Sequence, residues 1–237
     1  MDDDKRRRIL DVTAGILESG GAQAVSTRSV AAAAGIRAAS LYQLFGDMDG
    51  LLTALARHVF DLYLAEKRTL TATDDPVDDL RRGWDMHVSF GLRHPAFYLL
   101  MFGPPRPGRR PPAVDQAYEL LLRYMERVAA TGRLRVPTTV AADLALAGGI
   151  GATLTLIGGR GDGAAPGAAP IADVTGLSER MRDSLLGAVL TGAPATASPG
   201  LAPLAVALDT ALAAEPPETL RPTETALLRD WLGRLAG

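Results

Sequence analysis

A chain of 237 residues, 47% hydrophobic and 22% charged with a net charge of only −2, has the make-up of a folded globular protein. That excludes a disordered or fibrous chain and argues weakly against a nonspecific polyanion binder, and the absence of cysteine excludes a disulfide framework and thiolate metal sites. Aromatic residues are only 5%, which favours helices over β-sandwiches.

The opening residues, Met-Asp-Asp-Asp-Lys-Arg-Arg-Arg, have no apolar run behind them to act as a secretory segment, so a cytoplasmic location is expected. Residues 6–19 place Ile9, Leu10, Val12, Ile16 and Leu17 at helical spacing, and Gly20-Gly21 is expected to stop that helix. Ser26 is a good N-cap for a short helix through Ala34, which Gly35 ends. A second short helix is expected over residues 38–45. Asp47 then caps a long amphipathic helix with the stripe Leu51, Leu52, Leu55, Val59, Leu62 and Tyr63, ending near Leu70. The polar run at 71–76 marks the expected boundary between a head, residues 1–70, and a body, residues 71–237.

The body opens with a helix over 77–93, closed at the His94-Pro95 step. A short apolar helix over 95–102 and a Pro- and Arg-rich loop over 103–112 follow. Residues 114–130 are amphipathic, and residues 138–157 are apolar nearly all round, predicting a central buried helix. A Gly/Ala/Pro-rich segment over 158–170 reads as a mobile linker. Three weaker helices are expected at 177–190, 201–214 and 223–235. There is no convincing strand pattern and no internal repeat, so the fold class is all-α.

Two short helices around a Gly-containing turn form a helix-turn-helix by spacing. Val30, Leu41 and Phe45 can lock the pair onto its neighbours. Arg37, Ala38, Ser40, Tyr42 and Gln43 are then left on the outer side of the second helix. Short side chains and a few long polar ones suit entry into a major groove. From Ser26 to Phe45 there are two arginines, Arg28 and Arg37, and no acidic residue, while Arg6, Arg7 and Arg8 add a basic cluster.

The string from Arg8 to Leu52 resembles the DNA-binding head of the tetracycline-repressor (TetR) family. The resemblance rests on Ile9-Leu10 and Gly21, Ser26-Thr27-Arg28-Ser29-Val30-Ala31, the turn Ala34-Gly35-Ile36, and Leu41-Tyr42-x-x-Phe45 followed by Leu51-Leu52. In the body, the segment from Phe90 to Phe102 is similar to a His-Pro-x-x-Tyr segment in the effector domain of some members. The resemblance implies a three-helix head on a larger helical effector and dimerisation domain. It also implies a homodimer on a palindromic double-stranded DNA operator, acting as a repressor or activator and released by a small molecule. Thr27 and Tyr42 would contact phosphates, and Arg28, Arg37, Ser40 and Gln43 would lie nearest base edges. Two positions depart from the family pattern: Leu44 where His or Tyr is usual, and Met48 where Lys is usual, between Asp47 and Asp49.

Large side chains in the body concentrate at Trp84, His87, Phe90, Phe97, Tyr98, Met101, Phe102, Tyr118 and Met125. They serve as core or line a site for a largely apolar effector. Asp74-Asp75-Pro76-Val77-Asp78 matches the Asp-Asp-x-x-Asp pattern by which helical isoprenoid synthases hold magnesium, which makes such an enzyme the alternative. Acidic residues and proline at a helix start are an ordinary response to the macrodipole, and no second acidic cluster completes a site. No metal, cofactor or catalytic group is expected. His87 and His94 stand two turns apart, too far to share a metal. The uncharged run at 144–159 is too short and too rich in Ala and Gly for a membrane span. A Gly-rich string at 158–163 resembles a phosphate loop only by composition. A protein–protein scaffold that has lost DNA binding is a third reading, favoured slightly by Leu44 and Met48.

Overall fold

The computed structural model describes residues 2–103, 112–159, 176–191 and 200–236. The expected loop at 103–112, the linker at 158–170 and the Gly-rich string at 158–163 fall largely outside them. Among the described residues the secondary structure is helical: α1 (Asp2–Ala24), α2 (Thr27–Ala34), α3 (Ala38–Phe45), α4 (Met48–Lys67), α5 (Pro76–Arg93), α6 (Pro95–Phe102), α7 (Pro112–Ala130), α8 (Thr138–Gly159), α9 (Leu177–Val189), α10 (Leu201–Ala214) and α11 (Pro222–Ala236). An antiparallel bridge between Leu134 and Leu190 stands outside the helices. The fold class is all-α, as the periodicity predicts.

The caps follow from local chemistry. Ser26 and Ser29 bond each other's backbone N–H in a reciprocal capping box at the start of α2. Gly35 closes α2 at φ 65°, where a Cβ would strain the backbone. Asp47 accepts from the Gly50 N–H at 2.7 Å and starts α4. The helix over the first residues of α1 is interrupted at Gly21, as expected, where φ 70° and ψ −177° are non-helical, and a short helical turn resumes through Ala24.

The chain divides into two compact units. The first comprises residues 1–71, 86–116 and 153–167, so it joins the expected head to parts of the expected body. Its head core is Ile9, Val30, Ala34, Leu41, Phe45 and Leu51. Further along α4, Leu55, Val59, Phe60 and Tyr63 are buried, and α6 packs against both α1 and α4. Burying each such side chain contributes about 1.5–3 kcal/mol. Gly91 sits where a Cβ would stand 2.3 Å from Thr153 Cγ2 and 2.7 Å from the Tyr98 ring. Gly91→Ala should therefore overpack the unit and cost about 2 kcal/mol. Chemical denaturation would read it, and an unchanged midpoint would refute the packing argument.

The second unit comprises residues 72–85, 117–152 and 168–237. Val77, Leu80, Met125, Val128, Leu134, Ala141, Ala142, Ala145, Leu186, Val189 and Val206 form its core. Asp79, only 3% exposed, ties the entry to α5 onto α7. It accepts from the Thr73 N–H and hydroxyl, from Arg82, and from Arg127 at 2.7 Å. Burial alone would raise its pKa, but these donors win and hold it at about 2.

The expectation that α8 is buried all round needs correction. It is long and apolar enough to cross a membrane by length and composition, yet only 33% of its apolar window is buried. Ala141, Ala142, Ala145, Ala152, Thr153 and Leu156 face protein, whereas Val140 is 42% and Leu144 44% exposed. Hydrophobicity around a whole helix shows that no face demands water. It does not say that one chain covers every face.

Candidate DNA-binding face and buried histidine cluster

The α2–α3 hairpin presents the side chains that spacing placed outward. Arg28, Arg37, Ala38, Tyr42 and Gln43 are exposed, and Thr27 and Ser40 are half-buried. Inward-facing Val30, Leu41 and Phe45 fix this orientation through the head core. The Thr27 hydroxyl and the Tyr42 hydroxyl lie 3.2 Å apart, so two groups suited to phosphate are held side by side across the hairpin. Nearby, Arg6 donates to the Leu44 carbonyl and stacks 4.6 Å from the Phe45 ring centroid. Sequence reasoning grouped Arg6 with a general basic cluster and missed this role: it ties the start of α1 to the end of α3. Leu44 and Met48, the two departures, both pack partly buried against the head core. An apolar side chain at either position has a packing reason.

A second cluster lies in the first unit, around His87. The Tyr63 hydroxyl stands 3.0 Å from His87 Nδ1, and the Tyr98 hydroxyl 2.8 Å from Nε2. Thr153 hydrogen-bonds Tyr98 in turn. One order satisfies every group: Thr153 donates to Tyr98, Tyr98 to Nε2, and Nδ1–H to Tyr63. The chain of bonds thereby links α4, α5, α6 and α8. Phe102 and Tyr98 meet the imidazole edge-on, and Phe90 packs against Tyr63 in the same manner. Burial first, and the nearby Lys67 charge second, depress the His87 pKa to about 3, so the ring is neutral. Burial raises the Tyr98 pKa, against a smaller opposing pull from Thr153. The Lys67 ammonium lies 5.5 Å from the Tyr63 ring centroid. At the rim, His94 contacts Glu18 and Arg93 contacts Glu66, joining the α5–α6 corner to α1 and α4.

Of the nine residues expected to line an effector site, His87, Phe90, Phe97, Tyr98, Met101 and Phe102 fall in this unit, the last five buried. Trp84, Tyr118 and Met125 belong to the second unit. There Trp84 donates to the Ser178 hydroxyl at 3.0 Å, Met125 is part of the core, and Tyr118 packs against it. The hydroxyls of Tyr63 and Thr153 were not foreseen, although Tyr63 already stood in the apolar stripe of α4.

Two of the three carboxylates of the Asp-Asp-x-x-Asp pattern, Asp75 and Asp78, are engaged by protein partners. Asp75 accepts from Val77 N–H and from Arg133 at 2.6 Å, and Asp78 pairs with Arg82. Among the described residues no group of three or more His, Asp or Glu is placed to hold a metal ion.

Comparison with known proteins gives a consistent picture. Residues 9–55 match the family model TetR_N, described as bacterial regulatory proteins, tetR family. The fold is similar to that of a protein with unknown function from Rhodococcus sp. RHA1, with 25% identity, a TM-score of 0.62, and coverage of 79% of this chain and 96% of that one. It is also similar to a putative tetR family transcription regulator from Shewanella sp. PV-4, at 18% identity and TM-score 0.58, covering 79% of this chain and 98% of that one. A TetR family transcriptional regulator from Agrobacterium tumefaciens gives 20% identity and TM-score 0.55, covering 81% of this chain and all (100%) of the other. A search of curated proteins finds no match.

Proposed function

We propose, from the premise that the chain belongs to the tetR family of bacterial regulatory proteins, that it is a cytoplasmic, effector-released repressor that binds a palindromic operator as a homodimer. The observation that carries the reading is the outer face of the α2–α3 hairpin, held rigid by the head core and matched by the family model. Thr27 and Tyr42 anchor to phosphates, while Arg28, Arg37, Ser40 and Gln43, with Ala38 giving close approach, read base edges. An enzyme of the isoprenoid type is disfavoured because Asp75 and Asp78 are engaged by Arg133 and Arg82.

Pairing of two copies is supported by the uncovered stripe of α8, Val140, Leu144, Ala147 and Gly151, together with Met181 and Ala188 on α9. Two heads would then sit about 34–36 Å apart, one helical turn of DNA. A largely apolar effector would enter among Phe97, Tyr98, Met101 and Phe102. By disturbing the His87 hydrogen bonds it would shift α4, the helix that follows the reading head directly in sequence.

The test is selection of genomic fragments by the purified protein, followed by anisotropy titration against operator and scrambled duplexes. Gln43→Ala or Arg28→Ala should relax choice at one operator position by about 1–3 kcal/mol with little change in salt dependence. Failure to enrich any sequence over a scrambled duplex would overturn the reading.

A further inference from the structure

We infer that the α10–α11 hairpin is a self-association surface, whose apolar face packs against the same face of a second copy of this chain. Within the hairpin, Ala205 and Leu212 pack against Leu228, Leu232 and Ala236, and Arg229 reaches back to Asp209 at 2.8 Å. That ion pair fixes which side is which. On α10 the spacing 201, 204, 208 and on α11 the spacing 227, 231, 235 each trace one helical stripe. Antiparallel packing brings both stripes to the side opposite Asp209 and Arg229. These six positions are among the most exposed large apolar residues described: Leu201 65%, Leu204 50%, Leu208 47%, Leu227 49%, Trp231 50% and Leu235 48%.

Charge selects the occupant. Charge is sparse on the face: Glu224 stands on the α11 stripe one turn before Leu227 and is paired with Arg221, and each arginine of the hairpin is held by a neighbouring carboxylate. Arg221 bonds Glu224, Arg229 bonds Asp209, and Arg234 bonds Asp230. Glu215 and Glu218 sit exposed in the turn between the helices. An anionic membrane or a nucleic acid would meet carboxylates and committed arginines there. A twofold copy meets a largely apolar surface whose carboxylate, Glu224, already has Arg221 as its counter-ion, so little like-charge repulsion opposes the pairing.

Area agrees with the same occupant. Five leucines and a tryptophan at about half exposure leave on the order of 500 Å² of apolar surface, the size of the largest patches on soluble chains, which are often functional. A stable pairing buries about 800 Å² per partner, of which roughly 65% is apolar in homodimers. The face therefore has about the apolar area that one side of such an interface requires.

Sedimentation of the full chain at micromolar concentration tests this. Leu204→Ser, Leu208→Ser and Trp231→Ser combined should halve the assembly mass, with helicity unchanged because all three side chains are solvent-facing. Leu144→Asp on α8 is the parallel arm. If the α8–α9 pairing proposed above also holds as a separate contact, the parent is a tetramer and each variant a dimer. If that pairing fails, the parent is a dimer that only the hairpin variant dissociates. A second measurement keeps Trp231 in place. Acrylamide quenching, which reaches little of the buried Trp84, should be suppressed in the parent and roughly twofold stronger in Leu204→Ser/Leu208→Ser. An unchanged mass for the hairpin triple variant overturns the inference. So does a Trp231 shielded only after adding vesicles of anionic phospholipid.

Discussion

Lowering the pH from 7 to 4 is expected to remove about 3 kcal/mol of folding stability through His87 alone, and His87→Gln is expected to abolish that part of the loss. The ring is neutral and holds the Tyr63 and Tyr98 hydroxyls, with Lys67 on α4 and the rings of Phe90 and Phe102 around it. The folded-state pKa is depressed to about 3 from an ordinary 6.5. Below pH 6.5 the unfolded chain therefore binds a proton that the folded chain refuses. Stability is complete above 6.5 and falls as the pH drops towards 3, by about 1.4 kcal/mol per pH unit. Asp79 contributes in a different window. Its folded pKa of about 2 lies under the ordinary 3.8, so its share is intact at pH 5 and is lost only as the pH falls below about 4. Glutamine offers one donor and one acceptor, so it can keep both tyrosines partnered without titrating. Urea denaturation of parent and variant across pH 7 to 4 decides the matter. Parallel curves would mean that His87 does not titrate in this window.

The acid response illustrates what the sequence did and did not reveal. Helix order was legible because each helix carries its own punctuation: Ser26, Gly35, Asp47 and the His94-Pro95 step are local signals, and local energetics decide them. The outer face of α3 was legible for the same reason, since Val30, Leu41 and Phe45 fix the inner face by spacing alone. Contacts between distant residues were not. That Tyr63 and Tyr98 close on the two nitrogens of His87 depends on how α4, α5 and α6 pack, and no period along the chain encodes it. Arg6 reaching the Leu44 carbonyl is hidden similarly by a sequence separation of 38. The kink at Gly21 shows the reverse limit. The glycine pair interrupts the helix as its residue type allows, but the helical turn that resumes over Ala22-Gln23-Ala24 was not anticipated.

Met48→Lys is expected to tighten binding to operator and scrambled duplex alike, by about tenfold per head near 0.1 M salt. Met48 is the first residue of α4, directly after the Asp47 cap and beside Asp49. The helix N-terminus favours a phosphate there, yet the two aspartates repel the DNA backbone and Met48 brings no charge to offset them. The side chain is only partly buried against the head core, so a lysine can lay its methylenes over the same surface and leave the ammonium in solvent. The fold therefore tolerates the change, and the gain is electrostatic. One added phosphate contact steepens the dependence of log K on log salt by about 0.9, so by about 1.8 when two heads are engaged. Gln43→Ala, which faces base edges, should leave that slope unchanged while relaxing one operator position. The comparison is a salt series of anisotropy titrations on both duplexes for parent, Met48→Lys and Gln43→Ala. A slope for Met48→Lys equal to that of the parent would place the start of α4 away from phosphate and overturn the docking of the head proposed above. A slope change of about 0.9 in place of 1.8 would mean that only one head is engaged, locating the error in the assembly and not in the reading face.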